Sequence, residues 1–200
     1  MQRLISSSRT GAVLLVGVLA GCSSSQGDNA HAPSQPPAPV SEVTSESPSS
    51  EMRAEAKLMT AEGAEEGKAT FVQEPDGVLV VIELEDVPQG KKGVHVHEKG
   101  DCSNIAGESM GSHFAPQSEQ HALPSEGEQR HLGDLGNIMV TADGNGRLEI
   151  KVPNASLDPS APTTFMGRAL IVHSGEDSGS AQQPSGGSGP PMACGVIRKS

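Results

Sequence analysis

The stretch KATFVQEPDGVLVVIELEDV, Lys68 to Val87, decides the fold: two runs with apolar residues at alternate positions are broken by Pro75-Asp76-Gly77. A period of two is that of a strand, whose successive side chains leave opposite faces, and a Pro-Asp-Gly break is turn chemistry. The same pattern recurs at Gly93 to His97, Ile138 to Thr141, Arg147 to Val152, Ala169 to His173 and Ala193 to Arg198, with Asp143-Gly144-Asn145-Gly146 marking a second tight turn. Ala54 to Met59 reads as an earlier strand, although its Glu and Ala could equally start a helix. No helical stripe is sustained, so the expectation is an antiparallel all-β chain. Glu98 to Asn137 and Ser174 to Met192 carry no strand pattern. They are too long for idle connections, and long ordered loops on a β scaffold carry chemistry.

Composition narrows the function. With 34% hydrophobic residues, 24 Gly and 15 Pro in 200 residues, the chain has material for one core and flexible flanks. Trp and Tyr are absent and Phe occurs three times, which argues against an aromatic platform for bases or sugars. Fourteen basic against 25 acidic side chains give a formal charge of −11, so a nucleic-acid partner is not expected.

The beginning of the chain reads as an address. Arg3 and Arg9 precede a short apolar run from Gly11 to Leu19, and Leu19-Ala20-Gly21-Cys22 follows at once. This resembles a bacterial lipoprotein signal, which implies cleavage before Cys22 and acylation of that residue, holding the protein on a membrane surface. An ordinary secretory signal with an incidental Cys is the other reading. Ser23 after Cys22 resembles the form directed to the outer membrane in a cell with two membranes. From Ser23 to about Ser50 the chain is rich in Ser and Pro and has almost no large apolar residues, as expected of a disordered tether; His31 within it reads as a solvated loop residue. The expected layout is a signal peptide over 1–21, Cys22 and its tether over 22–51, and one domain over 52–200.

Six of the seven histidines fall between residues 95 and 173. His95 and His97, at i and i+2 on a strand, leave the same face and can clasp one ion; imidazole suits copper and zinc. His113, His121, His131 and Asp134 follow in a loop too rich in Gly and Pro for a helix, and three imidazoles with a carboxylate make a closed ligand set for zinc.

Five blocks then converge on a family. Gly93-Val94-His95-Val96-His97-Glu98, Gly111-Ser112-His113-Phe114-Ala115-Pro116, Arg130-His131-Leu132-Gly133-Asp134-Leu135-Gly136-Asn137, Gly167-Arg168-Ala169-Leu170-Ile171-Val172-His173 and Ala193-Cys194-Gly195-Val196-Ile197 resemble, in order, the signature blocks of Cu/Zn superoxide dismutase. The resemblance implies an eight-stranded antiparallel Greek-key β-barrel, flattened and sandwich-like, with two long functional loops. It implies a catalytic copper held by His95, His97, His113 and His173, and zinc held by His113, His121, His131 and Asp134. His113 would bridge the two metals. Asp177 matches a carboxylate that links a copper His to a zinc His.

With Cys22 taken by lipid, Cys102 and Cys194 remain for the disulfide that the resemblance implies, and an exported location permits it. One departure stands out. The family usually has Arg three residues before the final Cys, where its cation attracts superoxide; this chain has Pro191, and no Lys or Arg lies between Ser174 and Ala193. Lys91, Lys92, Lys99 and Arg130 are the cations that another loop could supply. Superoxide dismutation by an envelope lipoprotein, slowed by the missing Arg, is therefore one expectation. The alternative is a copper- and zinc-binding envelope lipoprotein of the same fold without turnover.

Overall fold

The computed structural model describes residues 51–200 except Gly107, Ser118, Glu128 and Pro184. The expected signal peptide, Cys22 and the expected tether as far as residue 50 lie outside the described residues. Strands run in the order β1 (Arg53–Met59), β2 (Glu65–Glu74), β3 (Gly77–Leu84), β4 (Gly90–His97), β5 (Asp134–Val140), β6 (Gly146–Pro153), β7 (Ala169–His173), β8 (Pro191–Val196) and β9 (Arg198–Lys199), with one short 3-10 turn at Pro124–Glu126. β9 continues β8 after a break at Ile197, and both pair with β1.

The sheet order is β2-β3-β6-β5-β4-β7-β8-β1, and β1 also pairs with β2, so eight antiparallel strands close on themselves. β3 lies beside β6 and β4 beside β7, the crossovers of a Greek key. Ala54 to Met59 is strand, not helix: Ala54, Ala56 and Leu58 are buried while the residues between them are exposed. Glu74 pairs with Gly77 around the Pro75-Asp76 turn, and Gly144 takes φ +83° in the turn between β5 and β6. β4 starts three residues before the expected Gly93, because Gly90, Lys91 and Lys92 find ladder partners in Val140, Met139 and Ile138. β3 stops at Leu84, where its partners Gly67 and Gly146 end the ladders on both sides.

Val78, Val80, Ile82, Val94, Val96, Leu170, Val172 and all three phenylalanines fill the barrel. Phe165 meets Phe71 and Phe114 edge to face, with centroids 6.5 and 6.2 Å apart. Strand alternation sends Val94 and Val96 inward and His95 and His97 to the outer face of the same strand. β7 repeats the device with Leu170 and Val172 inward, while Ile171 stands opposite His95 and Ala169 opposite His97. Every residue of β7 and all from Lys92 to His97 in β4 are nevertheless buried. The two long loops cover this outer face. His95, His97 and His173 thus lie between barrel wall and loops, outside the main core.

Candidate metal centre

Four imidazoles, those of His95, His97, His113 and His173, each present a ligand atom within 4.8 Å of the others, and all four residues are buried. His95 and His97 come from β4, His173 from the end of β7, and His113 from the first loop, where a single bridge ties it to His97. All four rings have an oxygen acceptor on one nitrogen, Asp134 Oδ1 for His113 and a different group for each of the other three. His95 Nε2 donates to Asp177 Oδ2 at 2.8 Å, His97 Nδ1 to the Gly111 carbonyl at 2.7 Å and His173 Nδ1 to the Gly189 carbonyl at 2.9 Å. Each acceptor fixes the ring proton on the nitrogen facing it and leaves the other nitrogen with a lone pair. Of those other nitrogens, His95 Nδ1, His97 Nε2 and His173 Nε2 are buried with no hydrogen-bond partner. A buried, unsatisfied acceptor is costly, and here three converge. Burial also holds His97 down to about 3, His173 to about 4 and His95 well below its ordinary value, so all three stay neutral, the form that binds metal.

The second cluster is built around Asp134, the first residue of β5. His113 Nδ1 lies 2.8 Å from Oδ1 and His121 Nδ1 3.0 Å from Oδ2, while His131 Nδ1 stands 3.3 Å from both oxygens. The ligand atoms of His95, His113, His121 and Asp134 all lie within 4.8 Å of one another; the expected zinc ligand His131 is outside that group and partly exposed. His95 enters because its ring stacks on His113, centroids 3.9 Å apart. Burial alone would raise the Asp134 carboxyl, but contacts with His113, His121 and His131 outweigh it and hold the group well below the carboxylate range. His121 shows the converse: burial lowers it, yet the Asp134 and Asp177 carboxylates carry it up to about 9. The cluster therefore favours positive charge, and its nitrogen and oxygen donors suit zinc, as the first cluster's imidazoles suit copper.

Asp177 joins the two clusters. Its Oδ2 accepts from His95, and its Oδ1 accepts from His121 Nε2 and the Gly179 amide, each at 2.8 Å. Asn137 has no assigned role in the sequence reading, yet its side-chain amide donates to the Asp177 carbonyl and its Oδ1 accepts from the Asp177 amide, both at 2.8 Å. Arg168 is a second unanticipated brace: its guanidinium lies 3.4 Å from the centre of the Phe114 ring and donates to the Glu98 carbonyl at 2.7 Å. It thereby ties the residue after His97 to the residue after His113. Both side chains stand inside the signature blocks, but only their distant partners disclose these roles. Cys102 and Cys194 form a disulfide that fastens the first loop to β8, within a small cluster containing Ile105, Met110, Ala169 and Ile171.

The cations resolve differently. Lys91 pairs with Glu176 at 2.6 Å, and buried Lys92 donates to the Ser174 carbonyl at 2.8 Å. Arg130 is buried, with Nε on the Asp134 carbonyl and a terminal nitrogen on the Gly127 carbonyl, so it braces the loop beside the second cluster. Lys99 is exposed, and its field lowers Asp101 after hydrogen bonds from Ser103 and Ser109 have done so.

A family model described as copper/zinc superoxide dismutase matches residues 65–197. Superoxide dismutase [Cu-Zn] 2 of Aquifex aeolicus is 34% identical over 154 residues, covering 75% of this chain and 89% of that protein. The superoxide dismutase [Cu-Zn] of Legionella pneumophila is 35% identical over 132 residues, covering 66% and 77%. Among solved structures, a double mutant of a SOD-like protein from Bacillus subtilis superposes with TM-score 0.64 at 32% identity, covering 72% of this chain and 96% of that one. The clock protein EA4 superposes with TM-score 0.65 at 36% identity, covering 75% and 96%. With the closed barrel, the disulfide and two clusters able to hold a metal that share His95 and His113, these likenesses show that the chain belongs to the copper/zinc superoxide dismutase family.

Proposed function

We propose that the protein is a superoxide dismutase of the cell envelope, converting two superoxide anions and two protons to dioxygen and hydrogen peroxide. The observation that carries this reading is the convergence of the unpartnered nitrogens of His95, His97 and His173 beside His113, whose Nδ1 is taken up by Asp134. Bound copper would supply the one-electron couple that oxidises one superoxide and reduces the next. His95, His97, His113 and His173 would hold it, with the Nε2 of His113 remaining for the copper side and able to carry a proton toward peroxide. His113, His121, His131 and Asp134 would hold zinc, and Asp177 orients both sets.

Pro191 supports a second reading, a copper- and zinc-binding protein of the same fold without turnover. It pairs with His173 across β7 and β8 at the position where the family resemblance implies a guiding Arg, and Lys91, one of the cations another loop could supply, is paired with Glu176. A superoxide assay, with copper and zinc measured on the same full-length sample, separates the two. Copper-dependent turnover supports the enzyme; fully metallated, inactive protein supports the binding protein. The layout of signal peptide over 1–21, lipidated Cys22, tether and domain over 52–200 belongs to the same proposal. Cys22→Ala should then release the protein from membranes.

A further inference from the structure

Within the loop from Ser174 to Pro190, Gly186 lies directly against the contact between Asp177 and His121. Gly186 takes φ +60°, and a methyl group added there would overlap both Asp177 Oδ1 and His121 Nε2, the two ends of one buried hydrogen bond. Its backbone is pinned on both sides. The amide donates to the Gln183 carbonyl at 2.9 Å, and the carbonyl accepts from the Ser178 amide at 2.9 Å and the Ser178 hydroxyl at 2.6 Å. The Asp177 side chain has no exposure and that of His121 only 2%. Bare backbone thus closes over the carboxylate in space where a side chain or a water would otherwise compete for Oδ1.

We infer that Gly186 is a positioning residue for the metal centre: its missing side chain lets the loop backbone seal the Asp177–His121 hydrogen bond, and through Asp177 it sets the orientation of both His121 and His95. This rests on the proposed assignment of copper and zinc to the two clusters. Displacing Asp177 Oδ1 by a methyl group would turn His121 away from Asp134 and loosen the Oδ2 contact that keeps the His95 lone pair on Nδ1.

Gly187 provides an internal control. It too has a left-handed backbone, φ +80°, but a methyl there would meet only the end of the flexible Gln183 side chain, 2.7 Å from Oε1. Gly186→Ala and Gly187→Ala therefore carry similar backbone strain and differ in what the methyl strikes. In the full-length protein, zinc affinity is measured by competition with a chromophoric chelator, and the Cu(II) site by visible absorption. Gly186→Ala should weaken zinc binding by roughly 10- to 100-fold, as displacing an outer partner of a ligating His does, and should shift the Cu(II) band, whereas Gly187→Ala stays near wild type. In an Asp177→Ala background, Gly186→Ala should cost clearly less than it does alone, because the carboxylate it strikes is gone and only His121 Nε2 remains in its way. Equal zinc affinity and an equal Cu(II) band in the two glycine variants would overturn the inference alone. So would full additivity with Asp177→Ala. Wild-type protein that binds neither metal would overturn the proposed function, and this inference with it.

Discussion

The Cys102–Cys194 disulfide spans a sequence separation of 92, from the first loop to the strand that closes the barrel. In the chain-entropy model, closing a loop of that length removes about 4.6 kcal/mol of freedom from the unfolded chain. A domain of this size loses about 2–4 °C of melting temperature per kcal/mol, so replacing both residues by Ala should lower it by roughly 9–18 °C. Cys194 is buried among Ile105, Met110, Ala169 and Ile171, so lost packing adds to the fall and does not offset it. Calorimetry with both metals removed isolates the cross-link from metal linkage. Reduced wild type, measured alongside, separates the loss of the bond from the loss of the sulfur atoms. A fall of less than about 4 °C in both samples would refute the reasoning, since the unfolded chain would then gain little freedom from the cut.

Three further outcomes follow from the site. His97→Ala should remove copper with zinc largely kept, because His97 touches only the first cluster, while Asp134→Ala should release zinc first; metal analysis showing equal loss of both metals in both variants would contradict the division. Pro191→Arg should raise the superoxide rate at low salt, toward the 10- to 1,000-fold range that focused fields provide, and make it fall with added salt; an unchanged rate would show that another cation, with exposed Lys99 the first to test, already steers the anion. In metal-free protein, His97 and His173 are held at about 3 and about 4 against 6.5, so the unfolded chain binds more protons below that pH and stability falls from about pH 6.5 toward 4. His121, held at about 9, acts oppositely: its contribution is full below 6.5 and is lost as pH rises through about 9. Melting temperature should therefore peak near neutrality, and a steady rise on acidification would exclude this balance.

Much of this protein is written in local pattern. Period-two runs mark a strand within β2 to β8 and leave β1 open to a helix, since alternation is a property of neighbouring residues. The first four residues of β5, Asp134 to Asn137, and Pro191-Met192 of β8 fall in stretches without that pattern and become strand only through their ladder partners. The candidate metal-site histidines are legible for the same reason: spacing alone puts His95 and His97 on one face, and the structure brings His113 and His173 to them. What tertiary structure decided is everything that depends on two distant segments meeting. The Gly111 and Gly189 carbonyls choose which nitrogen of His97 and His173 faces inward, and backbone carbonyls carry no sequence signature. Arg130, legible only as a spare cation, proves to be a buried brace on the Asp134 carbonyl. Asn137 reaches Asp177 because loop closure lays residue 177 against β5, and Gly186 matters because the same loop folds back onto the carboxylate. Sequence spacing encodes which groups can bind; closure of the barrel and the packing of two long loops against its outer face determine which lone pairs point at one another.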